Sequence, residues 1–144
     1  SLYLPGGIVA LNRSFVEDHE DPAVPAGAVL VERVRAAEQD PLADLLSAGG
    51  IRATFRMLTT GEMTRATLDR YAETVVTAPR PMPTEEAILE EFGRAAVPST
   101  PYAYAQDITG ETTLGLIEAD PMAGRDLEPV LNDRDWVQLQ NICS

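Results

Sequence analysis

Lysine is absent from this 144-residue chain, and all 11 of its basic residues are arginine. Schiff-base catalysis and phosphate-binding loops of the Walker type both need a lysine, so both are excluded. Acidic residues number 23, which leaves a formal net charge of −12. Such a surface repels phosphate backbones, and no stretch clusters arginine with aromatic residues as single-strand binding requires. We therefore expect no binding to nucleic acid.

Cysteine is nearly absent too, since Cys143 is the only one and no intrachain disulfide is possible. No run of 18 apolar residues is present, and residues 1–7 lack the charged region and the apolar stretch of a signal peptide. We expect a soluble protein without a membrane segment, cytoplasmic by default. Because the chain opens without Met, Ser1 also fits a removed initiator, a removed targeting segment or a cloning scar.

Aromatic residues make up only 6% of the chain, whereas hydrophobic residues together reach 44%. A chain of this length and composition can bury a core of aliphatic side chains without a metal or a disulfide. No internal repeat, low-complexity tract or interdomain linker interrupts the sequence. We predict a single globular domain over residues 1–144.

Four segments have the patterns of β-strands. Residues 8–11 predict a short buried strand, and residues 51–57 alternate apolar with polar side chains, as a half-exposed strand does. Residues 102–105 and 113–117 flank the pair Thr109-Gly110, which suits a reversal, so these segments predict an antiparallel hairpin.

The remaining segments have helical spacing. Pro41 suits the first turn of a short helix that Gly49-Gly50 would end, and Thr84 suits the cap of a later one. One further predicted helix covers residues 28–39. Another begins with the capping-box spacing of Thr59 and Glu62 and runs until Pro79, and a final helix would be capped by Asn132 or Asp133. Strands and helices do not alternate steadily, as they do in a doubly wound sheet. We predict an α+β fold in which a small, mostly antiparallel sheet of about four strands packs against four to five helices.

The only histidine lies in the most polar segment of the chain, which comprises Glu17, Asp18, His19, Glu20 and Asp21. Carboxylate oxygens bind hard cations, and an imidazole adds affinity for zinc or manganese. Five consecutive residues cannot all point at one ion, and the EF-hand spacing is absent. A solvated acidic loop is the simpler interpretation, and a metal site is the alternative.

No catalytic motif is present. The serines lie outside any G-x-S-x-G turn, and Cys143 has the position of a small buried hydrophobic residue. We predict no cofactor, and the absence of a catalytic motif favours a non-enzymatic role over an enzymatic one.

Five other polar residues are candidates for ligand binding. Arg52 and Arg56 share the exposed face of a predicted strand and suit an anion, with a cross-strand ion pair as the alternative. Tyr102 and Tyr104 share a face of another predicted strand, which suits either a ligand-contacting shelf or an ordinary half-buried sheet. Glu118 follows a predicted strand, where site residues are common.

Two functional hypotheses follow. The first is a non-enzymatic accessory or interaction module that presents an acidic surface to a protein partner with a basic patch. The alternative is a small enzyme or small-ligand-binding domain whose pocket opens beside the sheet. Its polar contacts would be Arg52, Arg56, Tyr102, Tyr104 and Glu118.

Overall fold

A computed structural model describes residues 1–143, apart from the side chains of Pro41 and Cys143. Over that range the chain is mostly helical, with about 60% of its residues in eight α-helices. The elements are β1 Leu2–Leu4, β2 Ile8–Ala10, α1 Ser14–Glu17, α2 Ala23–Glu38, α3 Pro41–Thr60, α4 Arg65–Thr77, α5 Glu85–Ala95, α6 Thr100–Gln106, α7 Leu114–Glu118, α8 Asp133–Gln140 and a final 3₁₀ turn, Asn141–Cys143. None of the helices within residues 1–143 is long and apolar enough to cross a membrane.

The prediction of about four strands packed against four to five helices is wrong. Within residues 1–143 the sheet has two strands, because residues 51–57 belong to α3 and the predicted hairpin is replaced by α6 and α7. Ile51 and Phe55 fit an alternating pattern, but together with Leu58 they also fit helical spacing. A helix forms most of its backbone hydrogen bonds within the segment, whereas a strand there needs a partner strand.

The two strands pair in antiparallel register, with Leu2 opposite Ala10 and Leu4 opposite Ile8. The turn that joins them contains Gly6 and Gly7, which both adopt positive φ angles of 89° and 79°. Glycine takes this conformation without steric cost. The predicted strand at residues 8–11 is confirmed, although it is not buried, since Ile8 is 57% exposed.

The core forms where α2 packs against α5 and α6. Phe92 and Ala103 are fully buried, and the rings of Phe92 and Tyr102 lie 5.9 Å apart. Gly27 of α2 faces this pair, and a Cβ atom there would lie 2.6 Å from the Cβ of Tyr102. The missing side chain therefore allows α2 and α6 to approach closely.

Side-chain caps fix the starts of several helices. Thr84 accepts a hydrogen bond from the Ala87 N–H, which confirms the predicted cap, and Asn132, one of two predicted candidates, accepts one from the Asp135 N–H. The capping box predicted at Thr59 and Glu62 is wrong, because Thr59 lies within α3 and Thr64 caps α4. Asp40 caps α3 in the same way. Each cap satisfies a backbone donor that the helix itself leaves unpaired.

α3 consists of two helical halves that meet at Gly50, whose φ of 71° and ψ of 179° are not helical. The predicted end of the first helix at Gly49-Gly50 is thus confirmed, but a second helix follows it where a strand was predicted. The second half packs against α4, and Gly49, Ala53 and Thr67 meet at the contact. Ala53 and Thr67 are both buried.

Candidate functional site

A cleft of about 460 Å³ opens between β1, the C-terminal part of α2, the start of α3 and the end of α4. Its wall includes Glu32 and Arg35 from α2, Asp44 from α3, Tyr71 from α4 and Arg80 from the segment that follows α4. This volume is within the range of small-molecule sites. The sequence instead placed a pocket beside a sheet that residues 51–57, 102–105 and 113–117 would help to form, and that sheet is absent from the described part of the chain.

An ion pair between Glu32 and Arg35 forms part of the wall. Arg35 Nη1 lies 2.5 Å from Glu32 Oε1, and the two side chains are only 11% and 4% exposed. The hydroxyl of Ser1 donates to the same carboxylate oxygen over 2.8 Å. Arg35 Nε also donates to the carbonyl of Pro81. Both charges are therefore compensated within the protein, as burial requires.

Arg80 is held at the edge of the cleft. Arg80 is an exposed residue, but its Nη1 donates a hydrogen bond to the backbone carbonyl of Ser1 over 2.6 Å. This contact joins the segment after α4 to the start of β1. The two arginines of the cleft are thus both engaged by groups of the protein itself.

Asp44 and Tyr71 differ from these residues, because neither side chain makes a hydrogen bond or an ion pair within the described part of the chain. Tyr71 is 7% exposed. Burial, followed by the negative charge of Asp44, raises the pKa of its phenol above the ordinary value. Asp44 lies in the first turn of α3. The cleft thus presents a carboxylate and a phenol whose hydrogen-bonding capacity is unused.

The five ligand-binding candidates from the sequence do not converge, and none of them lines the cleft. Arg52 and Arg56 lie exposed on α3, where Arg56 forms an ion pair with Glu62 and not with a neighbouring strand. Glu118 lies exposed on α7. Tyr104 is 47% exposed on α6.

Tyr102 is a core residue and not part of an exposed shelf. It is 5% exposed, and burial raises the pKa of its phenol to about 12. The Arg35 charge lowers this pKa and the Glu32 charge raises it, so Tyr102 lies close enough to the ion pair to respond to both. Tyr102 itself does not line the cleft.

The acidic segment that contains His19 is spread over a helix end and a loop. Glu17 forms an ion pair with Arg13, the His19 ring stacks on Phe15, and Asp21 accepts a hydrogen bond from the Ala23 N–H at the start of α2. The structure describes no group of three His, Cys, Asp or Glu side chains arranged to hold a metal ion within residues 1–143. Asp18 and Glu20 are exposed.

A second surface stands out on α3, and we call it the α3 stripe: Ile51, Phe55 and Leu58, which are 90%, 69% and 76% exposed. Their spacing of four and three residues places them on one face of the helix. Ala53, which packs towards α4, is two residues from Ile51 and so lies on the opposite side. The strand prediction for residues 51–57 hid this surface, because it placed Ile51 and Ala53 on the same face.

Charge is unevenly distributed between this region and the rest of the chain. Residues 41–77, which comprise α3 and α4, contain four arginines and four acidic residues, so their net charge is zero. The remaining residues contain 7 of the 11 arginines and 19 of the 23 acidic residues, and thus the entire net charge of −12. The α3 stripe therefore lies in the neutral part of a strongly acidic chain.

Comparison with known proteins gave no match: no family model fits the chain, and neither a curated protein nor a solved structure is similar to it.

Proposed function

We propose that this protein is a non-enzymatic interaction module that binds a basic protein partner. The observation that supports this proposal is the α3 stripe, where three large apolar side chains share one unpartnered face of a helix. Isolated exposed hydrophobic residues are normal on protein surfaces, but apolar residues grouped on one face are typical of interaction sites. An exposed helix face of this kind fits the groove of a partner through residues at positions i, i+4 and i+7.

The energetics favour such a contact. Full burial of each large apolar side chain contributes about 1.5 to 3 kcal/mol, so the three together supply several kcal/mol towards the cost of association. Arg52 and Arg56 lie beside the α3 stripe on the same helix and are exposed. Their long side chains can border the contact while their charges stay in water.

The charge of the remaining chain defines the partner's chemistry. A net charge of −12 outside residues 41–77 attracts a basic protein over distances longer than a direct contact. Residues 41–77 carry no net charge, and the three side chains of the α3 stripe are uncharged, so the contact made there is apolar and not ionic. The acidic part of the chain thus governs the rate of association, and the α3 stripe governs how long the complex lasts.

The test compares three immobilised proteins as baits for an extract of the source cells: the wild type, the double variant Phe55→Ser/Leu58→Ser, and Ile108→Ser. Ile108 is a matched control, because it is 89% exposed and lies outside α3. We expect a basic protein to bind the wild type and Ile108→Ser but not the double variant. Its capture should fall between about 0.05 M and about 0.5 M NaCl, because salt screens the acidic surface.

Two results would contradict the proposal. If capture of the partner changes neither with the double substitution nor with salt, the partner uses neither the α3 stripe nor the acidic surface. Sedimentation of the purified protein tests whether a second copy of this chain covers the α3 stripe instead. A dimer in the wild type and a monomer in the double variant would show that it does.

A further inference from the structure

The cleft between β1, α2, α3 and α4 offers an aliphatic wall as well as polar groups. Ala36, Ala48 and Val75 contribute apolar surface to its lining. Small-molecule sites combine such surface with a few polar groups that fix orientation. The identity of the unused polar groups therefore indicates which ligand fits.

Most charged groups of the lining already have partners in the protein. Glu32 and Arg35 pair with each other, and Arg80 donates to a backbone carbonyl. Asp40 accepts hydrogen bonds from the N–H groups of two α3 residues at 3.0 and 3.1 Å. Among the described residues that line the cleft, Asp44 is the ionised group without a hydrogen bond or ion pair.

Tyr71 supplies the second unused group. It is more than nine-tenths buried and lines the cleft, and its hydroxyl has no hydrogen-bond partner in the described part of the chain. Asp44 and Tyr71 line the same cleft, and burial followed by the charge of Asp44 raises the pKa of this phenol. A cation near both would gain from the carboxylate charge, from the π face of the ring and from the phenol oxygen as an acceptor.

We infer that this cleft binds a small organic amine, with the Asp44 carboxylate as its counter-ion, Tyr71 as a second contact and the aliphatic wall against its hydrocarbon part. The Asp44 carboxylate would repel an anion, and a neutral ligand would gain nothing from its charge. The net charge of −12 also raises the local concentration of cations around the protein. This site is distinct from the α3 stripe and does not depend on a protein partner.

The test uses three probes of equal length and different charge: n-pentylamine, 1-pentanol and pentanoate. Binding is followed by backbone amide chemical shifts in a two-dimensional NMR titration. Pentylamine should bind with a dissociation constant on the order of 1 mM, as expected for six non-hydrogen atoms, and should shift signals around Asp44 and Tyr71. Pentanol should bind more weakly, and pentanoate should not bind.

Variants separate this site from general attraction to an acidic surface. Asp44→Asn should weaken pentylamine binding about fivefold, a modest factor because Asp44 is an exposed residue. Asp69→Asn is the matched control, since Asp69 is an exposed carboxylate of α4 that does not line the cleft. It should leave the affinity unchanged, and circular dichroism should show both variants folded.

The inference is overturned if pentanol or pentanoate binds as tightly as pentylamine, or if the shifted signals lie outside the cleft. Equal losses in Asp44→Asn and Asp69→Asn would also overturn it, because they would show that the amine associates with the acidic surface as a whole.

Discussion

Replacement of Gly27 by alanine should destabilise the protein, although the same change in an open helix is stabilising. An added methyl group would lie 2.6 Å from Tyr102 Cβ, 2.8 Å from Tyr102 Cγ and 3.0 Å from Phe92 Cζ. Carbon atoms that are not bonded prefer about 3.5 to 4 Å. Tyr102 and Phe92 are 5% and 0% exposed, so neither ring can move into solvent. The overlap at the base of Tyr102 requires α2 or α6 to shift.

The change in the free energy of unfolding for Gly27→Ala follows from two opposing effects. Alanine gains about 1 kcal/mol over glycine in a helix interior, whereas overpacking of a core costs about 1 to 3 kcal/mol and sometimes more. Because the short contacts involve Cβ and not the end of a flexible side chain, we expect the upper part of that range. The free energy of unfolding of Gly27→Ala should therefore fall by about 1 to 2 kcal/mol.

Gly93 in α5 provides the matched control. A Cβ atom there would lie 3.4 Å from Pro121 Cβ, at the short end of ordinary contact, so Gly93→Ala should gain about 0.5 to 1 kcal/mol. Urea unfolding of both variants and the wild type, followed by circular dichroism, measures the differences. A Gly27→Ala protein as stable as Gly93→Ala would refute the close approach of α2 and α6.

Two further predictions concern charged groups. Glu32→Gln should lower the free energy of unfolding by about 3 kcal/mol, because it leaves the Arg35 guanidinium buried without its carboxylate. In urea unfolding, the double variant Glu32→Gln/Arg35→Met should recover part of this loss. Equal stability of Glu32→Gln and the wild type would contradict the buried ion pair. Hydrogen bonds from the Thr109 hydroxyl, then from the N–H and hydroxyl of Thr112 and the Thr109 N–H, hold the pKa of Asp107 well below its usual range, so its ionised form favours the folded state. Asp107→Asn should therefore lower the free energy of unfolding by a constant amount above pH 5. This difference between the wild type and the variant should vanish as the pH falls from the unfolded-state pKa of about 3.9 towards the lower pKa of the folded state. Urea midpoints at several pH values test this, and a difference independent of pH would contradict it.

Features that depend on a residue and its immediate neighbours could be predicted from the sequence. Thr84 and Asn132 cap their helices as expected, because each side chain bonds to a backbone N–H three residues further on. The helix after Thr84 buries Ile88 and Phe92, as its apolar spacing indicates. Trp136 of α8 is buried as well.

The sheet could not be predicted, because strands require partners that are distant in sequence. The alternation in residues 51–57 fits a strand only if a neighbouring strand exists, and in its absence the helical spacing of the same residues prevails. In the segment expected to form a hairpin, Pro101 lies in the first turn of α6 and begins a helix. Asp107 then bonds to Thr109 and Thr112 and forms a tight loop before α7.

Some residues of the cleft could be predicted from the sequence and others could not. Glu32 and Arg35 have a detectable signal, since opposite charges three residues apart interrupt the apolar side of a predicted helix. Asp44 and Tyr71 have none, because they are separated by 27 positions and come to line one cleft only when α3 packs on α4. The arginines of residues 51–57 were correctly expected to be exposed, but on a helix and not on a strand.

The bend in α3 sets the direction in which the α3 stripe faces. Gly50 combines a φ of 71° with a ψ of 179°, a backbone conformation almost restricted to glycine. In a straight helix each residue turns the next by about 100°, so a helical conformation at position 50 would rotate and tilt the ten residues that follow. The backbone conformation of this one residue thus determines the orientation of the α3 stripe. Evolution at position 50 could redirect Ile51, Phe55 and Leu58 towards a different partner without altering any of these side chains.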